Sequence, residues 1–172
     1  MKEEHIHEPL DGDRWEYGKA YVRKAAISDA NSVGPNLRAA DRNELAALTK
    51  QSPISVIKDG INDSPNSYTV CLRDGDTPCA VFGVNESGDT DIGVVWCLGT
   101  DDLFRIALKF LRNSKWWVNE LHKKHKVLFN VIDSRQTVYI KWLKWLGFTF
   151  VRTFEKYGLE NRRFLLFIRR ND

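Results

Sequence analysis

The sequence lacks the pairings that cysteine chemistry requires. Its three cysteines, Cys71, Cys79 and Cys97, are odd in number, show no Cys-x-x-Cys spacing and have no neighbouring histidine, which argues against both a disulfide framework and a zinc site. Each sits among Val, Leu or Ala in a strand-like run, so each reads as a small buried hydrophobe in a reducing compartment. No apolar run approaches the roughly 18 residues that a membrane span needs. The opening MKEEHIHEPLDGD carries acids where a signal peptide would carry basic and then apolar residues, so a soluble, cytosolic protein with no membrane partner is expected. The His5/His7 pair has no further ligands near it, and no metal is expected.

Disorder is excluded by what is present. Nine Phe, five Tyr and six Trp in 172 residues, 42% of them hydrophobic, supply a core for one globular domain. Residues 1–100 hold 10 basic and 16 acidic side chains, and residues 101–172 hold 16 and 7. An acidic front half is joined to a basic back half, an asymmetry that suits an anion-binding face.

Residues 1–18 are polar and aperiodic and read as an arm, leaving residues 19–172 as the domain. YGKAYVRKA alternates as a strand, and SDANSV opens a helix with Ser28 or Asp29 as cap. AADRNELAALTK is a second helix, with Leu45 and Leu48 on one face and Asp41 with Glu44 resembling a capping box. SPISVIKDGI is a short third. SYTVCLR, CAVFGVN and DIGVVWCLG, separated by the turn-rich DGDTP and ESGDT, form an antiparallel meander whose apolar last run predicts a central strand buried on both faces. A long helix follows, with Thr100 as cap, Asp101 and Asp102 at its positive end and His122 to His125 at the other. VLFNVID is a strand, YIKWLKWLGF a helix, and TFVRTFEKY with RFLLFIRR a closing hairpin. Lys141, Trp142, Lys144 and Trp145 offer charge and stacking, but an amphipathic core helix explains the same letters, so nucleic acid is not an expected partner.

This order resembles the GNAT fold of acyl-CoA N-acyltransferases from about residue 20 onward. NVIDSRQTVYIKWLKWLGF is similar to the family's strand-to-helix segment of the form L-x-V-x-x-x-N-x-x-A-I-x-L-Y-x-x-x-G-F, with Ile132, Ile140, Gly147 and Phe148 in place. GVVWCLGTDDLF and the NVID–LGF stretch look more narrowly like GNAT-like proteins of short-tailed bacteriophages known as internal virion protein A or acetyltransferase-like proteins. The resemblance implies an α/β (α+β) domain with a mixed central sheet of six to seven strands and about four helices. It implies a role in virion morphogenesis or inside the virion, in the host cytoplasm, with phage virion or assembly proteins as partners and the acyltransferase machinery eroded. The alternative it carries is an active acetyl-CoA-dependent N-acetyltransferase acting on a protein or a small amine.

Carried over residue by residue, the resemblance puts the acetyl-CoA site at Trp96, Leu98, Gly99, Thr100 and Gln136 and a catalytic candidate at Tyr139; Asn130 is a second catalytic candidate on its own chemistry. The phosphate turn falls on CLGTDDLF, which has one glycine where the family has two, no leading Gln or Arg, and two acids at the helix start. Each like-charge contact with a diphosphate at about 4 Å would cost on the order of 4 kcal/mol before screening. Leu143 holds the place where the family often keeps a tyrosine acid; Tyr139, one turn earlier, is the substitute. Gln136 takes the place of the family's Asn. Glu86, Asp89 and Asp91 are candidate bases by position. Asn130, a polar residue in a buried strand, must find a partner, and so either ties the splayed sheet together or faces the cleft.

Overall fold

The computed structural model describes residues 13–171, so His5 and His7 lie outside the described residues. Eight strands form one sheet in the order β1-β2-β3-β4-β5-β6-β8-β7. They are β1 (Arg14–Tyr17), β2 (Ala20–Lys24), β3 (Asn66–Leu72), β4 (Thr77–Glu86), β5 (Ile92–Gly99), β6 (Val127–Asp133), β7 (Thr149–Tyr157) and β8 (Arg162–Arg170). Six α-helices accompany them: α1 (Asp29–Val33), α2 (Ala39–Leu48), α3 (Pro53–Asp63), α4 (Asp102–Arg105), α5 (Leu108–Leu121) and α6 (Thr137–Trp145). The sheet exceeds the expected six to seven strands because Arg14–Tyr17, read as the end of an arm, pairs antiparallel with β2. Its Trp15 and Tyr17 carry the pairing: Trp15 packs edge-on against Trp117 and Tyr68, and Tyr17 against Phe110.

The helix count exceeds the expected four partly because the long helix after β5 is broken. Ala107, at ψ 35°, leaves the helical region between α4 and α5. Around a continuous helix Phe104 and Phe110 would stand roughly 120° apart; the break lets Phe104 pack on Tyr139 and Trp142 of α6 while Phe110 packs on Tyr17 and Phe82. Thr100 does not cap this segment. Its backbone continues the sheet, donating to the Cys79 carbonyl at 2.8 Å and bridging Leu37, and its buried hydroxyl has no partner among the described residues. Asp29 does fix the start of α1, but by a wider net than a cap. Its carboxylate accepts from Arg23 at 2.8 and 2.9 Å, Thr69 at 2.6 Å and the Ala26 N–H at 2.8 Å, tying α1 to β2 and β3.

All neighbouring strands run antiparallel except β5 and β6, which pair in parallel over only Ile92/Val127, Gly93/Leu128 and Val94/Phe129. Beyond that point β6 follows β8 as far as Asp133, and β5 continues with β4 alone. At the vertex Asn130 Nδ2 donates to the Val95 carbonyl at 2.8 Å while its Oδ1 accepts the Val131 N–H at 2.7 Å, so it ties the diverging strands together. The expectation of a β5 buried on both faces is corrected for the same reason. Val94 to Leu98 are only half-buried, because their neighbour has left and a cleft takes its place.

Apolar cores cover both faces of the sheet, one under α5 and α6 and a smaller one under α1 to α3. The β7–β8 hairpin closes the far edge, with register shifts at Phe150/Arg152 and Phe154/Tyr157. Trp145, expected on the sheet, is instead 46% exposed beneath the Lys115 ammonium, whereas Trp142 turns inward and donates to Ser114 Oγ at 3.0 Å.

α6 ends as its Leu-Gly-Phe predicts. The Gly147 N–H donates to the Lys144 carbonyl and the Phe148 N–H to the Leu143 carbonyl, with Gly147 at φ 91°, the two bonds of a left-handed cap. A Cβ at this site would sit 3.3 Å from Arg169 Nε. Gly147→Ala is expected to lower the unfolding free energy by about 1–2 kcal/mol in urea titration, the cost of a side chain in left-handed backbone; an unchanged midpoint would contradict the cap.

Candidate functional site

The divergence of β5 from β6 opens a cavity of about 390 Å³ that reaches through the sheet. Trp96 and Leu98 of β5 form one wall and Asn130 to Ile132 of β6 the other. Glu44, Asp59 and Asp63 stand on the α2–α3 side, and Ser114, Trp117, Tyr139 and Leu143 on the α5–α6 side. Trp96 does not fill the gap. Its indole lies against Gly60, where a Cβ would meet the ring at 3.0 Å, and its Nε1 donates to Asn85 Oδ1 at 2.8 Å. Three carboxyl side chains line the cavity, and no Lys, Arg or His does, although the back half of the chain is basic.

Backbone groups also face the gap. Val95 accepts there from Asn130, and Gly99 donates there to Asp41. Cys97, midway between them, has the same parity along the strand, so its N–H and C=O point the same way.

Beside the cavity, where the end of β5 meets α2 and the start of α6, lies a buried polar network. Asp41 is fully buried. Its Oδ2 accepts the Gly99 N–H at 2.9 Å and the Tyr139 hydroxyl at 3.2 Å, and its Oδ1 accepts Gln136 Nε2 at 2.7 Å and Arg38 Nη2 at 3.3 Å. Gln136, also buried, takes Arg38 Nη2 on Oε1 at 2.7 Å and gives Nε2 to Glu44 Oε2 at 2.7 Å. The other Glu44 oxygen accepts the Asp133 N–H at 3.1 Å. The Arg38 guanidinium lies 4.2 Å from the centre of the Tyr139 ring. Burial raises the Asp41 carboxyl, against the pull of Arg38. Burial also pushes Glu44 up to about 7, against its hydrogen bonds from Gln136 and Asp133, which makes it a carboxyl that titrates near neutrality.

The residues read from the sequence fall into three places. Trp96, Leu98, Asn130 and Tyr139 line the cavity. Gly99 and Gln136 belong to the Asp41 network behind it, and Thr100 lies at the approach to α4. Glu86, Asp89 and Asp91 are exposed around the β4–β5 turn, where Asp91 pairs with Lys126 at 2.8 Å, and none of them lines the cavity. Arg38, Asp41 and Glu44 were missed as site residues. The capping-box reading of Asp41 and Glu44 is corrected: α2 begins at Ala39, both acids lie inside it, and its first residues receive no side-chain cap. A signal was there. Asp41, Glu44, Leu45 and Leu48 are spaced i, i+3, i+4, i+7, which places two acids on the apolar stripe.

The arrangement fits one part of an acyl-CoA better than another. The gap offers β5 edge groups at Cys97 and apolar walls that suit a thioester arm. The turn after β5 does not suit a diphosphate. Its Gly99 N–H is held by Asp41, its Thr100 N–H by Cys79, and Asp102 occupies the first turn of α4. Among the described residues no three His, Cys, Asp or Glu side chains gather to hold a metal ion, and no helix is long and apolar enough to cross a membrane.

No protein-family model and no curated protein matches the sequence. Solved structures do match in shape. A GNAT-family acetyltransferase from Bacillus anthracis superposes with a TM-score of 0.66 at 10% identity over 91% of this chain and 98% of its own. The ribosomal-protein-S5-alanine acetyltransferase of Vibrio fischeri gives 0.62 at 16% identity over 94% and 98%. The microcin C7 self-immunity acetyltransferase MccE, in complex with acetyl-CoA and AMP, gives 0.63 at 10% identity over 90% and 93%. With this strand order, a cleft at the single parallel pair and near-complete overlap with these enzymes, the chain has the GNAT acetyltransferase fold.

Proposed function

We propose that the chain is an N-acyltransferase that uses acetyl-CoA as donor and a primary amine as acceptor. The observation that carries the proposal is Glu44, a carboxyl pushed up to about 7 at the wall of a cavity that opens between two diverging strands. A bound acyl thioester would supply the acyl group. The chain's own residues do the rest. Asp59, Asp63 and Glu44 make the α2–α3 side attractive to an ammonium group, and burial in the cavity lowers the amine's hold on its proton. Glu44 takes that proton as general base, within the range such groups require; the freed amine would form its bond to the acyl carbon as the acyl–sulfur bond breaks, and the departing sulfur would take its proton from solvent, since Leu143 stands in place of an acid. Gln136 and the Asp133 N–H hold Glu44 in place. Tyr139 and Asn130 act as positioning residues, Tyr139 by fixing Asp41 and Asn130 by tying β5 to β6 at the vertex, which sets where the gap begins. Leu143 and the walls of Trp96 and Leu98 exclude water from the arm. The acetyl-CoA complex of MccE supports the choice of donor.

A second reading, eroded acyltransferase machinery in a protein of the particle or assembly of a short-tailed phage, takes its phage part from the sequence resemblance, and one observation supports the erosion. Asp41 holds the Gly99 N–H that an anion would take, as in a scaffold whose donor site has been given up.

Two measurements separate the readings. With acetyl-CoA and a panel of primary amines, thiol release by the parent is expected to rise with pH through about 7. Glu44→Gln is expected to lower kcat about 100-fold, to lose that pH limb and to keep the heat of acetyl-CoA binding. No thiol release and no binding heat at millimolar acetyl-CoA would overturn the transferase reading.

Stability should carry the same signature. Folding raises the Glu44 carboxyl from its ordinary 4.5 to about 7, so the folded state favours the neutral form. The stability this confers is full below the ordinary value and is lost as pH rises through about 7. Relative to Glu44→Gln, the parent is expected to lose up to about 3 kcal/mol across that window in urea unfolding. A difference that stays flat would show that Glu44 is not desolvated.

A further inference from the structure

α5 carries its charge against the preference of its own backbone. A helix favours acids at its start and cations at its end, yet α5 has no acid in its first turn, no basic residue in its last, and no side-chain cap at Ala107. Lys109 stands in the first turn, with Arg112 three residues after it, a like-charge pair on one face that destabilises a helix; Arg105, in the last turn of α4 across the break at Ala107, brings a third cation to the same place. Lys19, from the β1–β2 turn, joins them around a cavity of about 390 Å³ whose lining includes buried Tyr17 and Asn113 and no carboxylate. Among the described residues none of the four cations forms an ion pair.

The walls are built. Tyr17 is fixed by the Trp117 Nε1–H at 2.8 Å and by Phe110 edge-on. The stem of Lys109 lies against Gly18, at 3.4 Å from where a Cβ would stand. Ile106 and Leu108, 36% and 50% exposed, add apolar rim. This cavity lies on a different face of α5 from the cleft, which is lined instead by Phe110, Ser114 and Trp117. Local rules broken together, with no ion pair among the described residues to offset them, mark a functional position.

We propose that this cavity is an anion site for an organic diphosphate. The two arginine forks and two ammonium groups match phosphate oxygens, the start of α5 adds its backbone dipole, and the rim receives the organic portion. The site stands whether or not the chain transfers acyl groups. Its diphosphate has two sources with one chemistry, the phosphate end of the acyl donor or a separate small molecule.

Calorimetric titration of the full chain with inorganic pyrophosphate at low ionic strength tests it. Binding is expected to weaken at least tenfold in the double variant Lys109→Glu/Arg112→Glu and to fade with added salt, while Glu44→Gln leaves it unchanged. The single variant Lys109→Glu is also expected to weaken binding and to melt higher than the parent without ligand, since an acid suits the first turn of α5 and ends the repulsion with Arg112, and this separates lost binding from lost folding. Absence of heat with the parent, or equal affinity in the double variant, overturns the proposal. A parallel titration with coenzyme A identifies the source. Affinity that falls with the same variant supports the site as the seat of the donor's phosphates, and affinity that holds supports a site for a separate ligand.

Discussion

Everything at the candidate site follows from two parallel strands that stay together for only three residue pairs. A sheet normally satisfies each strand's backbone groups through its neighbour. Once β6 turns away with β8, the outer edge of β5 from Val95 to Gly99 needs other partners. Asn130 serves Val95, and Asp41 and Arg38 serve Gly99. Between these two ends Cys97 faces the open gap. The divergence therefore makes the cavity, exposes donors and acceptors at its wall, and sets the two points where side chains stand in for a missing strand.

The price of that arrangement is a concentration of buried charge. Asp41 and Glu44 would each be strained in an apolar setting, and Gln136 resolves this by turning its carbonyl to Arg38 and its amide hydrogens to the two acids. The opposite orientation would set oxygen against oxygen. Such a network is stable only when complete, which ties α2, β5 and α6 into one unit around the cleft. Asp41 is also the group that sets the donor question, since the same bond that completes the network removes the Gly99 N–H from the phosphate turn.

Much of the fold was legible because each element announces itself locally. The turn chemistry of DGDTP and ESGDT, the apolar runs between them and the Leu-Gly-Phe stop of α6 needed no tertiary information. Arg14–Tyr17 was hidden because its strand character comes from Trp117, Tyr68 and Phe110, far away in sequence. The break at Ala107 was hidden because an unbroken apolar spacing fits a straight helix equally well. Trp96, Leu98 and Tyr139, read from the resemblance, and Asn130, read as a polar residue in a buried strand, all line the cavity. Glu44 and Asp41 were not read as site residues, because an acid at the start of a helix has an ordinary explanation. Their spacing with Leu45 and Leu48 points them inward, and the distances to Gln136 and Gly99 establish it.

The far edge of the sheet has a consequence of its own. β7 has a neighbour on one side only, and an open strand edge is a template for another chain. Here its pairing with β8 slips twice, at Phe150/Arg152 and Phe154/Tyr157, which adds twist where a flat partner would have to dock. Arg152, Glu155 and Lys156 project from the same strand into solvent. The hairpin that finishes the fold thus also makes its open edge a poor template for strand-on-strand growth.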